Sequence, residues 1–178
     1  MGNSREQLPV ELVDATGVGI GTCTVTEAHT APGRLHRAFS VQLVDPDGRL
    51  LLQRRAPVKT RFASRWSNTC CGHPAPGQRV EEAAVGRLAE ELGLTATLTE
   101  VGSFTYRAAD TGSGFVEHEW DHVLLGTLTD GEPAPDPAEV SDYTWLDPAH
   151  VHSAMADDPH AYTPWLSSVL RLVTAARH

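Results

Sequence analysis

Asp45-Pro46-Asp47-Gly48 is the feature that most limits the shapes open to this chain. Proline pre-sets φ near −65° and glycine accepts a left-handed backbone, so the four residues favour a tight reversal. Strand-like runs at residues 38–43 and 50–53 flank the turn, and together they predict an antiparallel hairpin. Residues 18–25, 96–106 and 117–128 predict further strands, and residues 131–137 a Pro-rich loop. Residues 79–92 predict a helix, because Val80, Ala84, Leu88 and Leu92 recur every four residues and Gly93 can end it. Asp147-Pro148 and Thr163-Pro164 each place a capping residue before a proline, which predicts two closing helices. Strands interspersed with a few helices imply an α/β (α+β) sandwich rather than a regular βαβ array.

The 178 residues fit one domain, residues 1–178, with residues 1–9 expected as a flexible N-terminal tail. A net charge of −9 argues against a nucleic-acid partner. No apolar run approaches the roughly 20 residues that span a bilayer, so no membrane partner is expected and the chain reads as cytoplasmic. Of the 14 basic residues only Lys59 is lysine, so phosphate recognition would fall mainly to arginine, whose planar fork suits phosphate oxygens. Cys23, Cys70 and Cys71 are odd in number and two are adjacent, a poor disulfide set.

The candidate chemistry gathers around two short strings, Cys71-Gly72-His73 and Glu117-His118-Glu119. Glu117 and Glu119 alternate on a strand and so share a face, which His118 does not. His29 and His36 flank a Pro-Gly loop, and both can turn to one ion. Three imidazoles and two carboxylates suit a divalent metal, although two such glutamates also fit a solvated strand face. Cys71 is open to two readings: a small buried hydrophobe, or a thiol made reactive beside a metal ligand. Arg87 and Glu91, four apart, form an ordinary helix ion pair or else meet a phosphate and its Mg²⁺. Arg54, Arg55, Lys59 and Arg61 add a basic cluster that fits a solvated face or an anion site.

Taken together, the chain resembles the type I isopentenyl-diphosphate isomerases of the Nudix superfamily. The resemblance runs through His29-Thr30, residues 34–40, Gln53-Arg54-Arg55-Ala56, residues 66–74 and Glu90-Glu91-Leu92-Gly93. It continues through Tyr106-Arg107-Ala108, Glu117-His118-Glu119, Tyr143-Thr144-Trp145 and Thr163-Pro164-Trp165, in collinear order over roughly residues 10–172. It implies a Nudix-like mixed-sheet sandwich with flanking helices. The implied reaction interconverts isopentenyl and dimethylallyl diphosphate by protonation and deprotonation through a carbocation. It implies that His29, His36, His73, Glu117 and Glu119 hold one divalent metal (Mn, Zn or Mg). Cys71 and Glu119 become the catalytic acid/base groups, Tyr106 the partner of Glu119, and Trp165 the aromatic shield of the cation. Arg55, Lys59 and Arg87 become diphosphate contacts and Glu91 the ligand of the substrate's Mg²⁺. The partner implied is a small prenyl diphosphate, and the protein is expected to be a monomer or homodimer.

The chain departs from these patterns at named places. Gln78 and Gly86-Arg87 break the hydrolytic Nudix box. Val25 stands where the family usually has a lysine, four residues before the first metal-binding histidine, and Ala63-Ser64 stands where Pro-Gly is common. Val25 motivates a second reading, a specialised homologue that protonates, isomerises or cyclises a larger prenyl diphosphate or prenylated substrate in secondary metabolism. A third is a noncatalytic Nudix-fold binding module.

Overall fold

The computed structural model describes residues 4–177. In chain order the strands and helices are β1 (Pro9–Val13), β2 (Gly19–Thr24), α1 (Val25–His29), β3 (His36–Val44), β4 (Leu50–Arg55), β5 (Trp66–Ser67) and β6 (Cys70–Gly72). They continue as α2 (Val80–Leu92), β7 (Thr99–Ala109), β8 (Val116–Thr127), β9 (Val140–Leu146), α3 (Pro148–Asp157) and α4 (Leu166–Ala176). Among the described residues the nine strands form one mixed sheet. This is the α/β sandwich expected, a mixed sheet with flanking helices.

β3 is the axis of the sheet. Along one edge it pairs in parallel with β8, from His36 opposite Glu119 to Val44 opposite Thr127. Along the other it meets β1 at Leu12–His36, β6 at Phe39–Gly72, Ser40–Cys71 and Val41–Cys70, and β4 at Val44–Leu50. The last contact is the expected hairpin, closed by Gly48 N–H donating to Asp45 O at 3.0 Å with Gly48 at φ 86°.

Alternation along β3 divides the core. Phe39, Val41 and Leu43 pack with Val80, Ala84, Leu88 and Leu92 of α2. Val44 belongs to the opposite layer, where Leu166, Val169, Leu170 and Val173 of α4 are buried. That spacing of three and four makes one helical stripe, each side chain stabilising the fold by roughly 1.5–3 kcal/mol. α2 ends as expected, with Gly93 at φ 63° and its N–H bonded to Ala89 O.

Several expectations change. The tail expected over residues 1–9 is ordered from Ser4 onward: Ser4–Gln7 is a 3-10 turn, and β1 begins at Pro9. Arg5 pairs with Glu90, and Glu6 with Arg61 at 2.9 Å, while residues 1–3 lie outside the described residues. Val25 ends no strand; it opens α1 behind a capping box in which Thr24 and Glu27 bond each other's backbone N–H. The closing helix starts at Leu166, not at Pro164, because Thr163 N–H is bonded to Trp66 O at 2.9 Å. β1 and β9 were not anticipated, and no helix of the described residues is long and apolar enough to cross a membrane.

Candidate active site

Three elements deliver histidines to one point. α1 ends on His29, β3 begins on His36, and His73 follows β6. The parallel register sets Glu119 of β8 beside His36. One ligand atom from each of His29, His36, His73 and Glu119 lies within 4.8 Å of all the others. The imidazole rings pack on one another with centroids 4.6, 5.2 and 5.0 Å apart.

Backbone carbonyls aim two of these rings. His29 Nδ1 lies 2.7 Å from Val25 O and His36 Nδ1 2.7 Å from Arg34 O. A carbonyl only accepts, so each Nδ1 carries a hydrogen and each Nε2 faces the centre. His36 Nε2 is buried with no hydrogen-bond partner, a costly state for a ring nitrogen. Burial pushes His73 down to about 4, which keeps it neutral and ready to ligate. Burial also opposes charge on His29, yet Glu117 and Glu119 push it up to about 9. A proton on His29 and a cation at this centre answer the same excess of negative charge. An orphaned buried nitrogen among imidazoles and a carboxylate fits a divalent cation, and the cluster is capable of holding one.

Glu117 stands beside the group of four, not within it. Its Oε2 lies 2.8 Å from His29 Nε2 and its Oε1 3.4 Å from Arg61 Nε. His118 points away, with Nδ1 3.3 Å from Gly33 O.

Cys71 and Glu119 occupy β6 and β8 on either side of β3, on one face of the sheet, and both line a cavity of about 330 Å³. Alternation sends Cys70 into the core and Cys71 to the cavity. Gly72 is required here, since a Cβ would meet Phe39 at 2.7 Å. Tyr106, the register partner of Glu119, donates to Glu119 Oε2 at 2.7 Å. Burial and then Glu119 raise the Tyr106 phenol well above its ordinary range, so it stays a donor. Burial opposes the Glu119 carboxylate, but the neighbouring imidazoles of His29, His36 and His73 hold it well below the usual range. Of the two readings open for Cys71, its surroundings favour the un-ionised thiol: burial, then Asp121, pushes it up to about 12. Trp165 is 3% exposed, faces the cavity, and donates from Nε1 to Asn68 Oδ1 at 3.0 Å.

The cavity continues into a band of charge. Lys59 pairs with Glu139 and lies 3.8 Å from Glu91. Arg87 reaches Glu91 at 2.6 Å, Glu139 at 2.7 Å and Glu90 at 3.2 Å. Arg55 donates to Arg61 O at 2.8 Å and lies 5.8 Å from the Trp165 ring centroid. Glu90 lines the cavity, whereas Glu91 is 2% exposed, behind Arg87, and accepts from Gln53 at 2.8 Å.

Sequence reasoning missed Glu139, Asn68 and Asp121, and gave Arg61 no role beyond its cluster. Asn68 lies inside a quoted motif, but nothing in its spacing foretold contact with Cys71 at 3.3 Å. Glu139 follows a Pro-rich loop, and only its fold position takes it to Lys59.

Residues 34–166 match the family model of the NUDIX domain. A crystal structure from Deinococcus radiodurans has a TM-score of 0.74 at 22% identity, covering 92% of this chain and 98% of that one. A NUDIX hydrolase from Nitrosomonas europaea has a TM-score of 0.56 at 19% identity, covering 78% and 88%. The class is therefore a Nudix-fold protein that carries a histidine-carboxylate centre. Among curated proteins, the isopentenyl-diphosphate Delta-isomerase of Nocardia farcinica is 64% identical over 169 residues, 95% of this chain and 96% of its own. That of Halorhodospira halophila is 44% identical over 162 residues, 91% and 93%. The chain belongs to the isopentenyl-diphosphate Delta-isomerase family, and it is an enzyme.

Proposed function

We propose that this enzyme interconverts isopentenyl diphosphate and dimethylallyl diphosphate, with Cys71 and Glu119 as its two proton-handling groups. The observation that carries this reading is the placement of Cys71 and Glu119 on one face of the sheet, either side of β3, at one cavity. An alkene is a weak base, so it needs a well-placed acid. Cys71 rests as a thiol and Glu119 as a carboxylate. Cys71 gives its proton to the terminal methylene of isopentenyl diphosphate, and the neighbouring carbon becomes a tertiary cation. Glu119 takes a proton from the carbon on the other side, which leaves dimethylallyl diphosphate. The reverse reaction retraces these transfers.

The other residues hold and protect this chemistry. Tyr106 fixes the orientation of Glu119 through its 2.7 Å bond. Trp165 offers an indole face to the cation, worth roughly 0.5–2 kcal/mol, and excludes water. Lys59, Arg87 and Arg55 receive the diphosphate, two of them by exchanging Glu139 for phosphate oxygens. His29, His36, His73 and Glu119, with Glu117 beside them, hold the divalent metal, which is Mn, Zn or Mg. When bound, it supplies a fixed positive charge that keeps Glu119 oriented and weakly basic. Glu91 is the ligand for a Mg²⁺ that arrives with the diphosphate, in competition with Arg87. We place the enzyme in the cytoplasm, since its three cysteines are unpaired, as suits a reducing compartment. The larger-substrate reading rested on Val25, and relatives with the isomerase name support the simpler substrate.

The test is direct. Metal-loaded protein is given isopentenyl diphosphate and, separately, a longer prenyl diphosphate. Conversion of the first to dimethylallyl diphosphate is expected; conversion of the second alone would reject the reading.

A further inference from the structure

Three cations from three separate segments converge on one carboxylate. Glu139 Oε2 pairs with Lys59, from the loop after β4, and with Arg87 of α2 at 2.7 Å. Glu139 Oε1 faces Arg5 Nε, from the Ser4–Gln7 turn, at 3.8 Å. Arg5 also pairs with Glu90 of α2. Arg5, Lys59, Arg87 and Glu90 all line the cavity that contains Cys71 and Glu119. Lys59 and Arg87 are diphosphate contacts in the reaction proposed for this enzyme. Arg5 stands at the other oxygen of the anion they share.

Other bonds hold the turn in place. Val25 N–H donates to Leu8 O at 3.0 Å, and Thr26 Oγ1 donates to Glu6 O at 3.1 Å. The Glu6 carboxylate meets Arg61 at 2.9 Å. The side chains of the Arg5–Glu90 pair are 38% and 54% exposed, and a pair so open to water adds little to stability. The fold therefore does not depend on where the Arg5 guanidinium points. Val25 lines the same wall of the cavity but brings it no charge: it is 5% exposed and packs with Val10 and Ala28. The cation on this wall comes from Arg5, whose planar fork matches two phosphate oxygens as well as it matches a carboxylate. We propose that Arg5 is a substrate-binding residue: its guanidinium exchanges Glu90 and Glu139 for the diphosphate, beside Lys59 and Arg87. This rests on the reading of the cavity as a diphosphate site.

The experiment compares Arg5→Gln, Arg5→Lys, Glu6→Gln and Arg87→Gln with the unaltered protein, all metal-loaded. Calorimetry measures the affinity for magnesium pyrophosphate, and steady-state kinetics give kcat and KM for isopentenyl diphosphate. Arg5→Gln is expected to weaken pyrophosphate binding about tenfold, as for one lost charge-assisted contact. KM should rise about as much, with kcat within about twofold and the melting temperature unmoved. Arg5→Lys keeps the charge without the fork and should lose only about threefold. Glu6→Gln alters the same turn but not the cation, and should bind pyrophosphate within about threefold of the unaltered protein. An Arg5→Gln protein that binds pyrophosphate as tightly as the unaltered one overturns the proposal. Equal weakening by Arg5→Gln and Glu6→Gln, with equal falls in melting temperature, also overturns it, by giving Arg5 a structural role. If Arg87→Gln weakens binding and Arg5→Gln does not, only the role of Arg5 has failed; if neither does, the diphosphate reading of the cavity falls with it.

Discussion

Tyr106 and Glu119 sit directly across from each other on β7 and β8, and the phenol donates to the carboxylate at 2.7 Å. The bond costs Glu119 no contact with the histidines, because it uses Oε2 while His73 meets Oε1 at 3.1 Å. Tyr106→Phe keeps the ring and removes the donor. It is expected to lower kcat roughly 10–100-fold with little change in KM, as for a group that orients an acid/base. Steady-state kinetics on the variant checks this, and a rise in KM alone would contradict it.

Cys71 should be slow to alkylate at neutral pH. Burial and Asp121 push its thiol up to about 12, so the thiolate is scarce below that value. The labelling rate is expected to climb about tenfold per pH unit through the alkaline range. Bound prenyl diphosphate should protect Cys71 and leave Cys23 labelling unchanged. A rate that levels off below pH 8 would show an activated thiolate instead.

Metal removal should act on both function and stability. A cation that binds only the folded chain adds its binding free energy to folding, about 2.7 kcal/mol at a hundred times Kd. Chelated protein is expected to melt lower and lose activity, and reloading should restore both. His36→Ala should blunt the chelator's effect on melting, since His36 Nε2 is the buried atom left without a partner. A melting temperature indifferent to chelator would remove the metal from the account.

Glu139 gives a pH-dependent term. Burial raises its carboxyl, but Lys59 and Arg87 outweigh that and depress it below the ordinary 4.5. A depressed carboxyl stabilises the fold fully above its unfolded value, and that contribution fades as pH falls through the folded one. Glu139→Gln is expected to cost about 1–3 kcal/mol near pH 7, as for a bond to charged groups. The difference from the unaltered protein should shrink on acidification below about pH 4.5. Denaturant melts at several pH values test it; a gap that widens in acid would be the wrong sign.

What could be read in advance follows from the range of the interactions. The Asp45–Gly48 hairpin, α2 with Gly93, and the shared face of Glu117 and Glu119 depend on residues a few places apart. Residues 18–25 read as a strand, and the five residues of α1 are too few to show helical periodicity, so α1 and its capping box at Thr24 and Glu27 went unread. The resemblance supplied His29, His36 and His73 as one set; spacing alone left them open. Asp121 beneath Ser40 and Glu139 beside Lys59 join residues about eighty apart. Only the parallel pairing of β3 with β8, and the course of the chain into β9, brings them together. The ordered Ser4–Gln7 turn has the same cause, since Glu6 is held by Arg61. Cys71 stayed open between two readings because no local signal shows that β6 is paired to β3.

The central claim is that Cys71 and Glu119 move the protons of isopentenyl diphosphate. NMR of the reaction in D₂O, with metal-loaded protein and its Cys71→Ala and Glu119→Gln variants, tests it most directly. The unaltered enzyme is expected to release dimethylallyl diphosphate carrying solvent deuterium, and each variant to be slower by roughly 10²–10⁴-fold, the span of a lost acid/base group. Conversion by Cys71→Ala at the rate of the unaltered enzyme would contradict the account.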